Sequence, residues 1–162
     1  MKDLEKAVVE HYGNRTRIRV NGLAFRDGQL LMIKHLGIGE KGHLWIPPGG
    51  GLEFGESVHQ GLKREFLEEA GLECKVKDFL FVFEYLRPPF HAIELFFEVQ
   101  IPDSPVRKGE DPEMKEQIIE EVRFMSEEEL YQTPPEEMHN VFTICKSFEE
   151  LLKLNGYVLF PK

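Results

Sequence analysis

Alternating apolar and polar residues in the first third of the chain predict β-strands. RIRVNGLAF, residues 17–25, and QLLMIKH, residues 29–35, show this pattern, and Asp27-Gly28 between them is a favoured two-residue hairpin turn. After a glycine-rich loop at 37–43, a short strand is expected at 44–47. Longer apolar runs later in the chain predict more deeply buried strands. These later strands cover residues 75–86, 91–101 and 118–125.

Helical patterns are found at both ends of the chain and in its centre. Residues 1–12 form an amphipathic pattern, and Ser126 begins a short helix. In the centre, Ser57 with Gln60 matches a capping box and Gly71 is placed for a left-handed C-cap, which predicts a helix of about fifteen residues. A last helix is predicted at 135–154. Its apolar side would be formed by Met138, Phe142, Cys145, Phe148, Leu151 and Leu152.

The order of these elements predicts an α+β fold in which a mixed sheet is packed between helices. Strands lie before and after one central helix, and helices close the chain. There is no internal repeat and no linker long enough to divide the sequence, so residues 1–162 are expected to form a single domain.

Composition and charge restrict the classes of function. Hydrophobic residues make up 41% of the chain and charged residues 30%, which is typical of a globular protein. A net charge of -9 argues against nucleic acid or an anionic membrane as a partner, since clustered lysine and arginine bind phosphate backbones. No apolar run approaches the ~20 residues of a membrane span, and a cytoplasmic location is expected. Cys74 and Cys145 lack metal-binding spacing, and both are expected to be buried thiols.

The central helix places acidic residues where apolar side chains are expected. At about 100° per residue, Glu69 lies about 40° from Glu65, between Val58 and Leu62 of the apolar stripe. Glu65 and Glu68 lie on the shoulder of that stripe. Burial of clustered carboxylates is costly, because each is harder to ionise away from water and beside a like charge. Either the acids are largely protonated, or a hard divalent cation lies among them.

A solvated charge run is the alternative explanation for Glu68 and Glu69. Arg64 and Glu68 are i,i+4 neighbours, and such pairs are common on helix surfaces. The angular position of Glu69 argues against this explanation. Gly61 in the helix either keeps the acidic face open to a ligand or lets a loop pack closely, and the glycines at 49–51 can bring backbone close to a ligand.

The same segment resembles the signature of a known family. Gly50, Glu56 and the run REFLEEAGL at 64–72 match the Nudix box, GX5EX7REUXEEXGU, at every specified position. The box covers residues 50–72, and the strands on either side also resemble a Nudix domain, so the resemblance spans nearly the whole chain. It implies the Nudix fold, an α/β/α sandwich around a mixed sheet.

The resemblance also implies an activity and a metal cofactor. Nudix enzymes use Mg2+ or Mn2+ to hydrolyse a nucleoside diphosphate linked to another group X. Glu65, Glu68 and Glu69 correspond to the metal-binding and catalytic acids of the family, and the carbonyl of Gly49 or Gly50 often completes the metal shell. Dimers are frequent in this family, so a homodimer is an assembly that the resemblance allows.

Other residues match supporting positions of the family. Glu56 and Arg64 correspond to a pair that braces the loop against the helix. The general base varies among Nudix enzymes, so Glu65, Glu68 and an acid of the loop before the last predicted strand all remain candidates. A further metal ligand often comes from that loop, and we favour Glu116. The acids available there are Asp111, Glu113, Glu116, Glu120 and Glu121.

The sequence indicates the substrate-binding residues less clearly. The arginines that could hold phosphates are Arg17, Arg19, Arg26 and Arg87. The aromatic residues that could stack on a base, although each is more often a core residue, are Trp45, Phe25, Tyr85, Phe90 and Phe96. From both sets we select Arg26, Trp45 and Arg87.

The substrate class follows from the resemblance rather than from spacing. Relatives that hydrolyse ADP-ribose commonly have a proline about as far beyond the box as Pro88, which favours ADP-ribose or a nucleotide sugar. The LLxxRxA signature of coenzyme A hydrolases is absent, since the strand reads LLMIKHL. The alternatives are a nucleoside triphosphate pyrophosphohydrolase, a non-catalytic ligand-binding module, which would typically have lost one of the three acids, and a structural acidic helix without metal.

Overall fold

Eight strands of the described residues form a mixed sheet between two layers of helix and turn. The computed structural model describes residues 2–110, 112, 114 and 117–160. The strands are β1 Arg15–Arg26, β2 Gln29–Leu36, β3 His43–Ile46, β4 Gly49–Gly51, β5 Lys75–Arg87, β6 Phe90–Gln100, β7 Ile119–Met125 and β8 Gly156–Leu159. The helices are α1 Lys2–Tyr12, α2 Val58–Ala70, α3 Glu127–Gln132 and α4 Phe148–Lys153.

Strand β1 is the centre of the sheet. It pairs in parallel with β6 over residues 15–24, and on its other edge it pairs antiparallel with β4 at residues 19–21. Its last two residues pair with β2, after which the order continues to β3, with β7 also on β2. On the far side of β6 lie β5 and the parallel edge strand β8. This arrangement brings the glycine strand β4 directly beside β1.

The alternation of side chains along β1 separates two apolar cores. Val20 and Ala24 face α2, whereas Leu23 faces the C-terminal segment. The core under α2 also contains Leu31, Leu62, Phe66, Ala70, Leu72, Phe97 and Val99. The larger residues of the opposite core include Trp45, Phe81, Phe83, Phe96, Met138, Phe142, Phe148 and Leu151. The predicted α/β/α arrangement is therefore confirmed.

Local signals gave the central elements correctly. The side chain of Ser57 accepts from the Gln60 N–H and the Gln60 side chain accepts from the Ser57 N–H, so the predicted capping box is present. Gly71 ends α2 in the left-handed region with φ 65°. The turn between β1 and β2 has φ 51° at Asp27 and 74° at Gly28, the geometry that favours these two residues.

The predicted helix at 135–154 is confirmed only at its end, as α4, and is wrong over residues 135–147. The segment instead contains two 3-10 turns, Pro135–Glu137 and Asn140–Thr143, followed by α4 and β8. Met138 is extended because its backbone pairs with Trp45, and the His139 N–H donates to the Trp45 carbonyl at 2.8 Å. This pairing with β3 is a long-range contact that competes with helix formation.

Two burial predictions also need correction. Leu152, assigned to the apolar side of the last helix, is 37% exposed, whereas Phe148 and Leu151 of α4 are buried. Cys145 is buried as expected, but Cys74 is half-buried at the start of β5. Among the described residues, no helix has both the length and the apolar character that a membrane span requires.

Gly22 allows α2 to approach β1 closely. A Cβ on Gly22 would lie 2.5 Å from Cε2 of Phe66 and 2.7 Å from Cγ2 of Val99. We expect Gly22→Ala to lower the free energy of unfolding by about 1–3 kcal/mol, because this core has to shift to accept the methyl group. Urea unfolding measures the change.

The control is Gly28→Asn at the hairpin tip. An added Cβ there meets no atom within 4 Å, and asparagine tolerates a positive φ. Its free energy of unfolding should stay within about 0.5 kcal/mol of the original chain. Equal effects of the two substitutions would show that the close contact at Gly22 does not restrict the packing of α2.

Candidate active site

A pocket of about 390 Å³ opens where β1 and β6 begin and β5 ends. The acids of α2 and the backbone of Gly49–Gly51 line one part of it. Arg19 of β1, Glu94 of β6 and His139 of the C-terminal segment line another part. The pocket therefore combines residues from the sheet, the central helix and both ends of the chain.

The three acids of α2 line this pocket together. Glu65 and Glu69 are buried, with 6% and 4% of their surface exposed, and Glu68 is partly exposed. The burial of Glu69 agrees with its angular position between Val58 and Leu62, and the structure also buries Glu65, which falls on the shoulder of the apolar stripe. The solvated-run explanation, which concerned Glu68 and Glu69, does not describe Glu69.

Arg64 links two of these acids, Glu65 and Glu68, to the preceding loop. Its guanidinium donates to both carboxylate oxygens of Glu56, at 3.2 and 2.7 Å, and to the Gly51 carbonyl at 3.0 Å. It also donates to Glu65 at 2.9 Å and to Glu68 at 3.1 Å. Because one planar group makes all these contacts, the loop and the acidic face are held in a fixed relation.

Glu56 also shows why a glycine occupies position 61. A Cβ on Gly61 would lie 2.9 Å from Glu56 Oε1 and 2.9 Å from Cδ1 of Leu52. Of the two roles considered for this glycine, the structure supports close packing of the loop. The hydrogen bonds from Arg64 hold the pKa of Glu56 below its usual range, so the brace is ionised at neutral pH.

Glu69 is held by two groups outside its own helix. Its Oε1 lies 3.0 Å from Nε2 of His35 on β2, and its Oε2 accepts from the Gly49 N–H at 2.9 Å. The Nδ1 atom of His35 is buried without a hydrogen-bond partner in the described residues. The carboxylate thus joins α2 to β2 and β4.

Charge is concentrated around Glu65. Burial first, and then the neighbouring Glu69, raise the pKa of Glu65 to about 8, although Arg64 lies 2.9 Å away. A Cβ at Gly50 would overlap the Glu65 carboxylate, so the absence of a side chain there is what leaves room for the acid. The pocket therefore favours a further positive charge beside Glu65.

This donor set fits a hard divalent cation. Carboxylate and backbone oxygens are the ligands that Mg2+ and Mn2+ prefer. Glu65, Glu68, Glu69 and Gly50 line one wall of the pocket and are the residues that could supply such ligands. Within the described part of the chain, no three His, Cys, Asp or Glu side chains already stand at metal-binding distances.

The proposed loop ligand cannot be placed. Glu116, Asp111 and Glu113 lie outside the described residues. Two other acids of that stretch have partners elsewhere: Glu120 lies 2.7 Å from the Lys34 ammonium, and Glu121 lies 2.9 Å from the Arg123 guanidinium.

The three selected substrate residues are found in different places. Arg87 lines the pocket and forms an exposed ion pair with Glu40 at 3.0 Å. Trp45 is buried under the guanidinium of Arg123. Arg26 donates to the backbone carbonyls of Pro102 and Ser104. Neither Trp45 nor Arg26 belongs to the described residues that line the pocket.

Other pocket residues were not selected from the sequence. Arg19 was one of four arginines named as possible phosphate ligands but not one of the three substrate residues selected, and His35, Glu94 and His139 were not predicted as site residues. A signal existed for His35, because strict alternation from Leu31 on β2 puts it on the side facing α2. For Glu94 and His139 the only signal in the sequence is that a polar residue occurs among apolar neighbours.

Comparison with known proteins identifies relatives of this chain. Residues 15–143 match the model of the NUDIX domain. An ADP-ribose pyrophosphatase of Methanocaldococcus jannaschii is 33% identical over 96 residues, which cover 58% of this chain and 56% of that protein. The match thus spans little more than half the length of that relative.

Solved structures show the same fold. The MutT NUDIX hydrolase from Burkholderia pseudomallei has a TM-score of 0.64 at 20% identity, covering 80% of this chain and 95% of its own. A UDP-X diphosphatase has a TM-score of 0.60 at 20% identity, covering 98% of this chain and 74% of its own. At such identities the likeness concerns the fold alone.

The fork-shaped contacts of Arg64 can be tested with Arg64→Lys. Lysine keeps the charge but cannot reach both Glu56 oxygens and the Gly51 carbonyl together. We expect the free energy of unfolding to fall by about 1–3 kcal/mol and Mn2+ affinity to weaken roughly 10- to 100-fold. Urea unfolding and titration calorimetry measure the two quantities.

The neighbouring Lys63→Gln provides the matched control, since Lys63 is exposed on the same helix turn. Its stability should change by less than about 0.5 kcal/mol. If Arg64→Lys binds Mn2+ as tightly as the original chain, Arg64 does not position the acids for a metal.

Proposed function

Because the chain belongs to the NUDIX domain family of hydrolases, we propose that it hydrolyses the pyrophosphate bond of ADP-ribose or a nucleotide sugar, using Mg2+ or Mn2+. The observation that carries this proposal is the convergence of Glu65, Glu68 and Glu69 on one wall of a pocket. All three acids of the matched signature are present, which favours an enzyme over a non-catalytic module.

Glu65, Glu68 and Glu69, with the Gly50 carbonyl, are the groups that would hold the metal. A divalent cation bound there supplies charge neutralisation for the diphosphate and activation of water. Arg64 and Glu56 keep these acids in place through the contacts described above. His35 and the Gly49 N–H orient the Glu69 carboxylate so that its oxygens do not rotate freely.

The protein must also remove a proton from the attacking water. Glu65, Glu68 and an acid of the loop before β7 are the candidates for this role. The water oxygen attacks one phosphorus, the bridging oxygen leaves with the other phosphate, and two monophosphates result.

The pocket has the size and lining for a nucleoside diphosphate derivative. About 390 Å³ lies within the range of small-molecule sites. Tyr85 and Phe90 offer aromatic surface, and Arg87 offers positive charge for the phosphates or the group X. The relative from Methanocaldococcus jannaschii, an ADP-ribose pyrophosphatase, supports ADP-ribose as the first substrate to test.

Glu69→Gln tests the catalytic assignment. The substitution keeps the shape of the side chain but removes a negative charge from the proposed metal site. We expect kcat/KM for ADP-ribose with Mg2+ to fall roughly 100-fold or more. Phosphate released after phosphatase treatment of the products measures the rate.

Glu73→Gln is the matched control for this substitution. Glu73 is an exposed acid just beyond α2 and does not line the pocket. Its kcat/KM should stay within about twofold of the original value. An unchanged rate for Glu69→Gln on every accepted substrate would contradict the catalytic role.

A substrate panel tests the reaction itself. ADP-ribose, nucleotide sugars, dinucleoside polyphosphates and dNTPs are compared with Mg2+ or Mn2+, with products identified by chromatography. ADP-ribose is expected to give AMP and ribose 5-phosphate, and chelation of the metal should abolish the reaction. Preferential release of pyrophosphate from dNTPs would instead support a nucleoside triphosphate pyrophosphohydrolase.

A further inference from the structure

Arg19 lies on the wall of the pocket, and a hydrogen bond to Glu94 fixes the orientation of its side chain. Its Nε donates to Glu94 Oε1 at 3.1 Å, and a terminal nitrogen makes a long contact of 3.5 Å to the Gly49 carbonyl. The side chain is 17% exposed and lines the pocket, whereas the Glu94 side chain is 5% exposed. These two contacts use only part of the N–H donors of a guanidinium.

Glu94 is in turn held by His139. Nε2 of His139 lies 2.7 Å from Glu94 Oε2, and Nδ1 accepts from the Val141 N–H at 3.1 Å. Because Nδ1 is an acceptor, the proton lies on Nε2 and is donated to Glu94. The rings of Phe83 and Phe96 pack beside the imidazole, with centroid distances of 5.4 and 5.7 Å.

Neighbouring charges keep both Arg19 and Glu94 ionised. Burial alone would raise the pKa of Glu94, but contacts with His139 and Arg19 lower it to about 2. Burial alone would lower the pKa of Arg19, but Glu94 and then Glu65 and Glu69 reverse this effect. Arg19 therefore remains a cation that lies between Glu94 on one side and the acids of α2 on the other.

A purely structural role does not explain this arrangement well. A buried ion pair is often no more stabilising than apolar residues of the same size, and here it is supported by a third polar residue from a distant segment. Glu65 and Glu69 also attract the Arg19 guanidinium, but among the described acids it is Glu94 that forms a hydrogen bond with it. The Glu94 contact thus keeps a cation near the proposed metal site without letting it occupy that site.

We propose that Arg19 binds a phosphoryl oxygen of the substrate diphosphate, and that Glu94 and His139 are positioning residues which hold its guanidinium for that contact. This inference rests on the proposed function, because its ligand is the diphosphate of the same substrate. Arg19 would add a charge-assisted hydrogen bond next to the acids of α2.

Arg19→Gln is the first test. With ADP-ribose and Mg2+, we expect KM to rise roughly 10- to 100-fold, the loss that follows removal of a charged hydrogen bond. Arg19→Lys keeps the charge beside the acids, so its KM should lie between those of the original chain and of Arg19→Gln. If Arg19→Gln does not fold, the lysine variant provides the comparison. Calorimetry with ADP-ribose and Ca2+ measures binding separately from hydrolysis.

Variants of the positioning residues test the indirect part of the proposal. Glu94→Gln should raise KM about as much as Arg19→Gln, and the double variant should be no worse than either, since all three lose the same contact. His139→Gln retains an N–H donor toward Glu94 and should stay within about threefold of the original KM. His139→Leu lacks that donor and should raise KM roughly 10-fold.

Arg123→Gln is the matched control. Arg123 also pairs with glutamates, Glu121 and Glu129, but does not line the pocket. Its KM should be unchanged even if its stability falls.

The outcomes separate this inference from the proposed function. An Arg19→Gln chain that folds and keeps the original KM and ADP-ribose affinity overturns the role of Arg19. A change in stability or kcat alone, without a change in KM or binding, does the same. His139→Leu with an unchanged KM overturns the positioning role. An original chain that binds ADP-ribose but cleaves no member of the panel overturns the proposed function alone.

Discussion

The burial of carboxylates around one pocket is the constraint that organises this protein. Glu65 and Glu69 lie on the face of α2 that packs against the sheet, and Glu94 is buried on β6. Each has a compensating group: Arg64 for Glu65, His35 with a backbone N–H for Glu69, and Arg19 with His139 for Glu94. The strand order matters because it brings these groups together from separate parts of the chain.

The fold was largely predictable because its central signals are local. The capping box of α2, the left-handed glycine at its end and the Asp27-Gly28 turn each depend on residues within a few positions of one another. The burial of Glu65 and Glu69 could also be predicted, since both lie on one helix whose periodicity fixes their direction. Within a single helix, the number of residues between two positions fixes the relative direction of their side chains.

The partners of those acids could not be predicted in the same way. His35 is 34 residues from Glu69, Arg19 is 75 residues from Glu94, and His139 is 45 residues beyond Glu94. Such pairs depend on strand register, and a single sequence does not reveal register. The helix predicted for the C-terminal segment was wrong over residues 135–147 for the same reason. Backbone pairing of Met138 with Trp45 overrides an apolar pattern that favours a helix.

The first helix has a practical consequence for how the domain is delimited. Val8 and Tyr12 of α1 line the pocket, Tyr12 packs under the guanidinium of Arg17, and Leu4 with Val8 fills the space that a side chain at position 37 would need. Yet α1 precedes the region that matches the family, residues 15–143. A shortened chain cut at those boundaries would expose one wall of the cleft to water, so fragments or amino-terminal fusions should be planned with α1 intact.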